Sequence, residues 1–140
     1  MTAAPNTTPD TTGSKKDAGW EVGVRETIDV PLPVVWQYLV SAGIPVWLGH
    51  GEFRGVKGFQ YVMADGVRGE VQAYTEGSKI KLSWRPDDWP HDTVLIVSVK
   101  AVEAGTTIAI HHQELADRDE RRMMLGHWKN VVGDLARALV

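Results

Sequence analysis

The spacing of apolar residues changes at about residue 117, from a period of two in the preceding strands to a helical period. Before that point, apolar and polar residues alternate in the segments 20–30 and 59–112. After it, five apolar residues share one helical stripe: Met124, Trp128, Val131, Leu135 and Leu139. Alternation predicts strands with one buried face, and the stripe predicts an amphipathic helix able to cover that face. The pattern therefore predicts an α+β fold.

Turn signals divide the alternating region into consecutive strands. Asp65-Gly66 is a strong hairpin signal, and glycines at 77 and 105 mark further turns. Strands joined this closely form an antiparallel meander. In the strand after Gly66, alternation predicts that Ala73 faces inward and Tyr74 outward.

The complete prediction is a curved antiparallel sheet of six or seven strands around one long C-terminal helix. Two short helices are expected after the first strand, near residues 33–40 and 44–48, with Pro33 in the first turn. Asp117 is the predicted N-cap of the long helix, with Glu120 completing a capping box. That helix would span about 36 Å, enough to cross a sheet about 30 Å wide.

Composition limits the domain organisation and the partners. Residues 1–18 are rich in Thr, Pro, Ser and Gly and are predicted to be a disordered tail, leaving 19–140 as one folded domain. A net charge of −3 argues against nucleic acid or an anionic membrane as partner. The chain has no cysteine and no apolar run of the roughly 20 residues that a membrane span requires. We expect a cytoplasmic protein, either monomer or homodimer.

The titratable residues give no clear catalytic motif. His111 and His112 are adjacent on a predicted strand, so their side chains point to opposite faces and cannot share a metal ion. No serine lies in a Gly-x-Ser-x-Gly elbow. We therefore assign no catalytic residue, metal or cofactor, and whether the chain is an enzyme stays open.

Inward-pointing aromatic residues are the strongest candidates for a functional site. Such residues either fill the core or line an apolar cavity with a few polar groups. His112 is predicted either as a strand-end histidine at the sheet rim or as a polar anchor or proton shuttle. Glu26 is either a pocket residue or the sign of a bulge, and Trp89 is either near the cavity rim or simply exposed. The candidate ligand-binding residues are Trp47, Phe59, Tyr61, Trp84, His112, Met124, Trp128 and Glu26.

Several segments stand in a characteristic order and spacing. They are Arg25–Pro31 running into Val35–Leu39, Val46–Gly49, Asp65–Gly66 through Gly69–Val71, Leu82–Trp84, Gly105–Thr107, and His127–Trp128 with Leu135 and Leu139. Their order and spacing resemble the heat-shock-protein-90 ATPase activator homologue family, within the START-like (SRPBCC, helix-grip) superfamily. The resemblance covers Glu21 to Val140.

This resemblance implies binding or sequestration of a hydrophobic or aromatic small molecule, such as a lipid, a polyketide or another natural product, in a cavity between sheet and helix. Three alternatives remain open. They are a polyketide cyclase-like enzyme with His112 or Glu26 as general base, a natural-product self-resistance protein, and an interaction module that regulates a chaperone ATPase.

Overall fold

The computed structural model describes residues 14–15 and 19–140. Ten elements follow one another along the chain: β1 (Ser14–Lys15), β2 (Gly19–Ile28), α1 (Leu32–Leu39), α2 (Ile44–Trp47), β3 (Gln60–Val62), β4 (Arg68–Thr75), β5 (Lys79–Trp84), β6 (Thr93–Val102), β7 (Gly105–Leu115) and α3 (Arg118–Leu139). The two short helices after the first long strand and the long last helix confirm the predicted element order.

The strands form one antiparallel sheet in the order β1-β2-β7-β6-β5-β4-β3. The prediction of an α+β helix-grip fold is therefore confirmed. The strand β1 falls within the predicted tail, where Ser14 pairs with Trp20 and Lys15 with Gly19. The rest of that tail lies outside the described residues.

Helix α3 covers the sheet with its apolar stripe and packs mostly against β2. Its buried residues are Met124, Trp128, Val131, Val132 and Leu135. The predicted cap is present, because the Asp117 carboxylate accepts the Glu120 N–H at 2.8 Å. Glu120 in turn accepts the N–H of Ala116 at 2.9 Å, one residue before the position that a capping box uses.

The predicted alternation in β4 is wrong near its end. The pairing of β4 with β5 shifts register between Val71 and Ala73, so that Tyr74 lies opposite the fully buried Ile80. Tyr74 thus faces inward, with its ring centroid 5.7 Å from that of Trp36. A β-bulge adds one residue to the strand and reverses the facing of every residue after it.

A close crossing of backbones makes Gly69 in β4 sensitive to substitution. A Cβ there would lie 1.9 Å from the Ser83 carbonyl oxygen, which also accepts the Tyr61 hydroxyl at 2.6 Å. We expect Gly69→Ala to lower the free energy of unfolding by roughly 1–3 kcal/mol, measured by urea denaturation. The matched control is Gly126→Ala in α3, where a Cβ would meet no atom within 4 Å. It should raise stability by up to about 1 kcal/mol, and equal effects of the two changes would contradict the argument.

Candidate ligand-binding site

Three of the predicted aromatic site residues meet between α3 and the centre of the sheet. Trp84 ends β5, His112 lies on β7 and Trp128 comes from the middle of α3. The centroid of the Trp84 ring is 4.8 Å from that of His112 and 5.9 Å from that of Trp128. Trp128 and His112 are fully buried and Trp84 is 6% exposed. These rings pack against one another between α3 and the sheet.

A directional chain of hydrogen bonds runs through this group. The Trp128 indole N–H donates to Nδ1 of His112 at 2.9 Å, and Nε2 of His112 lies 2.7 Å from the Thr93 hydroxyl. Thr93 donates its own proton to the Trp84 carbonyl oxygen at 2.6 Å. An indole N–H only donates, so Nδ1 must be the acceptor and Nε2 must carry the proton. Each side-chain polar atom in this series of hydrogen bonds has a partner while His112 stays neutral.

The environment of His112 opposes protonation. Burial lowers the pKa of His112 to about 3, and the charges of His127 and His91 act in the same direction. A second proton would also place an N–H at Nδ1 against the Trp128 N–H. The alternative of a strand-end histidine at the sheet rim is therefore wrong, because His112 is fully buried. It is a buried neutral residue whose partners are side chains.

A bulge explains why His112 lies deep in the sheet rather than at its end. Strand β7 continues to Leu115, which is buried like His112 although three positions separate them. On the paired strand β2, the partners of Leu115 and His112 are Trp20 and Val22, which are only two positions apart. Strand β7 therefore has one extra residue in this stretch. Glu114 takes the extra position with a φ of 65°, and this left-handed conformation lets Leu115 face the core again.

The loop 86–92, between β5 and β6, extends the aromatic group to the surface. Trp89 is partly buried, with its ring perpendicular to that of Trp84 (83°, centroids 5.7 Å apart). Its other neighbour is His91, whose ring is stacked on it at 17° and 5.4 Å. Trp89 is therefore a rim residue, one of the two alternatives that the sequence left open.

Two contacts attach this loop to its surroundings. The Arg85 guanidinium donates to the Trp89 carbonyl oxygen at 2.7 Å. Nε2 of His91 lies 2.9 Å from a carboxylate oxygen of Glu120 in the first turn of α3. This hydrogen bond raises the pKa of His91, which favours the charged imidazolium and hence an ion pair.

The other predicted aromatic residues lie in the same core but make separate contacts. Tyr61 is 2% exposed, and its burial raises the pKa of its phenol. Trp47 donates to the Leu39 carbonyl oxygen at 2.9 Å. Phe59 is only partly buried, immediately before β3, whereas Met124 is buried on α3.

Glu26 does not join the site. It lies opposite Ile108, on the inner-face row of β2, yet its side chain is exposed. At this position the described residues pair β2 with β7 alone, so the carboxylate reaches water beyond the edge of the sheet. Ile108 precedes His112 by four residues, about 13 Å along the strand. The predicted alternatives of a pocket carboxylate or a bulge in β2 therefore both fail, and Glu26 does not approach His112.

Two open depressions occur elsewhere on the surface. One of about 260 Å³ is lined by residues of β3, β4 and β5, including Arg68 and Glu70. The other, of about 550 Å³, lies between α1 and the end of α3, beside Val34 and Leu139. Residues 14–15 and 19–140 contain no group of three or more His, Asp or Glu side chains placed to hold a metal ion. Among the helices in that part of the chain, none combines the length and apolarity needed to cross a bilayer.

Sequence reasoning missed three residues of this site: Thr93, His91 and Glu120 had no assigned site role. Thr93 carried no signal, because threonine is ordinary on a strand. The contact of His91 with Glu120 joins residues 29 positions apart in sequence. The sequence did contain a signal for the depth of His112. Leu115 is apolar but out of phase with Ile108, Ile110 and His112, which indicates a bulge and a strand that continues beyond His112.

The curved antiparallel sheet and its covering helix define a protein of the START-like, helix-grip class. Residues 29–140 match the family model described as "Activator of Hsp90 ATPase homolog 1-like protein", and the chain belongs to that family. The resemblance read from the sequence is thereby confirmed. No curated protein matches the chain in sequence.

Solved structures share the fold at low sequence identity. CalU16 from Micromonospora echinospora is 15% identical, with a TM-score of 0.73 over 88% of this chain and 76% of that one. DynU16, a protein of the dynemicin biosynthetic locus, is 18% identical, with a TM-score of 0.75 over 85% of this chain but only 46% of its own. A protein from Mesorhizobium loti is 21% identical, with a TM-score of 0.69 over 84% and 94%.

Proposed function

We propose that this protein binds or sequesters a hydrophobic or aromatic small molecule, such as a lipid, a polyketide or another natural product, between α3 and the sheet. The observation that carries this proposal is an unbroken series of aromatic contacts from the surface to the core. It begins at His91, whose side chain is 28% exposed, and passes through Trp89 and Trp84 to the fully buried Trp128. Apolar walls with a few fixed polar groups are typical of small-molecule sites.

The neighbours in solved structures are compatible with a natural-product ligand. DynU16 is a protein of the dynemicin biosynthetic locus, so one protein of this fold is encoded within a natural-product locus. Fold alone does not choose a ligand. The support for an aromatic ligand comes from the tryptophan and histidine rings of this chain.

The cyclase alternative has less support because it needs a general base with a free lone pair. Nδ1 of His112 accepts the Trp128 N–H, and the pKa of His112 is lowered to about 3. Glu26 lies exposed and away from the aromatic group. His112 thus has no free lone pair and Glu26 is not at the aromatic group, so neither residue is placed to reach the proton of a substrate bound there.

Binding is tested with a panel of lipids, polyketides and neutral polycyclic aromatics. We expect at least one compound to quench tryptophan emission saturably and to raise Tm by several degrees, because a ligand at 100 times its Kd adds about 2.7 kcal/mol. Quenching should fall in a Trp84→Phe variant. It should persist in Trp36→Phe, because Trp36 lies in a separate contact with Tyr74. A panel without any quenching or any rise in Tm would count against the proposal, as would quenching lost only in Trp36→Phe.

A further inference from the structure

The indole of Trp89 occupies a slot with two defined walls. The imidazole of His91 lies nearly parallel to it at 17°, and the Trp84 ring stands perpendicular to it at 83°. One wall therefore stacks on a flat ring, and the other meets the same ring edge-to-face. These are the two arrangements that aromatic pairs prefer. The slot is shaped for a planar aromatic group and already contains one.

Trp89 fills this slot from a loop rather than from a strand or helix. It is partly buried, unlike Trp84 beneath it, and its neighbours Asp88 and Pro90 are exposed. Loops open locally at lower free-energy cost than strands. Trp84 and Thr93, at the two ends of the loop, are buried and joined by the hydrogen bond from Thr93. The loop can move while its two ends stay fixed.

Two electrostatic contacts keep the loop closed. Glu120 has a side chain only 16% exposed and holds His91 from α3. Arg85, on the β5 side, holds the Trp89 carbonyl oxygen. Closure thus depends on a charged pair between the loop and α3 and on one backbone contact, and a change in either alters the fraction of molecules with an open slot.

We propose that Trp89 is an internal occupant of the binding site, and that the ligand is a flat, uncharged aromatic molecule of two or more fused rings that displaces it. This inference rests on the proposed function and specifies its ligand class and its regulation. The ligand takes the place of the indole beside Trp84. The loop 86–92 swings outward with both Trp89 and His91, and the ligand gains contact with the aromatic group below.

Displacement gives the Trp89→Ala variant an effect opposite to that of an ordinary contact residue. Removing an ordinary contact weakens binding. Removing an internal occupant strengthens it, because the apparent Kd no longer includes the cost of emptying the site. With the neutral probe N-phenyl-1-naphthylamine, we expect the Kd of Trp89→Ala to fall up to about tenfold below the wild-type value, which corresponds to the contact between Trp89 and Trp84 that the wild type must break.

A second variant tests the closing contact. Glu120→Gln keeps an oxygen to accept the Ala116 N–H and removes the charge that pairs with His91. Its Kd for the same probe should fall by a smaller factor. A Kd equal to or above the wild-type value would contradict a role for this ion pair in closure.

The matched control is Trp20→Ala. Trp20 is also partly buried and lies near the start of α3, where Arg118 approaches its ring at 5.9 Å. It makes no ring contact with Trp84 among those of the described residues. We expect the Kd of this variant to equal that of the wild type. Tighter binding by Trp20→Ala would show that the tighter binding of Trp89→Ala comes from a general loosening of the structure and not from removal of an occupant.

The outcomes separate this inference from the proposed function. If wild type and Trp20→Ala bind the probe while Trp89→Ala binds equally well or more weakly, displacement is wrong and ligand binding stands. If Trp89→Ala alone binds, Trp89 fills the slot permanently and displacement is again wrong. If none of the four proteins binds the probe or any aromatic compound of the panel, both proposals fail.

Discussion

Replacing Trp128 by alanine is expected to lower the free energy of unfolding by roughly 3–5 kcal/mol, a large part of the stability of most domains. Trp128 is fully buried and contacts both Trp84 and His112. Its loss leaves a cavity beneath α3. It also leaves Nδ1 of His112 as a buried acceptor without its donor, which adds about 1–3 kcal/mol. Urea denaturation followed by far-ultraviolet circular dichroism measures the change.

A Trp128→Phe variant separates the hydrogen bond from the packing. Phenylalanine keeps much of the ring volume and removes the N–H, so about 1–3 kcal/mol should be lost. Trp89→Ala is the matched control, because Trp89 is only partly buried and donates no indole hydrogen bond among the described contacts. We expect a smaller loss there. Wild-type stability in Trp128→Phe would show that the bond to His112 contributes nothing.

Lowering the pH from 8 to 5 is expected to remove about 2 kcal/mol of stability through His112 alone. The pKa of a histidine in the unfolded chain is about 6.5, and that of His112 in the folded protein is about 3. Between these values the unfolded state binds more protons, so stability falls as the pH falls. The ring of His127, packed 4.5 Å from that of Trp128, also has a lowered pKa and acts in the same direction. His91 has a raised pKa and acts in the opposite direction.

A His112→Gln variant isolates the contribution of this residue. His91 and His127 are common to both proteins, so their contributions cancel when the two slopes of stability against pH are compared. The variant should be less stable at pH 7, with a flatter slope between pH 5 and 8. Long-range proton–nitrogen NMR gives a direct check, since His112 should stay neutral with its proton on Nε2 at pH 5. Identical slopes, or a titration of His112 near pH 6.5, would contradict the buried hydrogen-bonded chain.

The sequence predicted the architecture because hydrophobic periodicity is a local property. The strands and α3 appear in the predicted order, and the cap at Asp117 forms with Glu120 as its partner. Periodicity failed where a bulge inserts a residue, as at Tyr74. It also failed at Glu26, because alternation gives the face of a strand but not its distance from the edge of the sheet.

The candidate site was predicted in its apolar part and at His112, but not in its other polar residues. Trp84, Met124 and Trp128 are buried as predicted, since their side chains follow the facing of their strand or helix. The polar partners come from other elements: Thr93 reaches His112 from β6, and Glu120 reaches His91 from α3. Such pairings depend on register and loop geometry, which no short sequence window contains.

The hydrogen-bonded chain from Trp128 to Trp84 has a mechanical consequence. It fastens α3 to Trp84 and Thr93, the two strand ends between which the loop 86–92 is suspended. The two residues that flank the loop are thereby held by hydrogen bonds to the buried core. In the proposed displacement only the loop 86–92 moves, so the sheet and α3 need not separate when a ligand binds. Under this proposal, the hydrogen bonds of Thr93 and His112 allow the loop to open without loss of core packing.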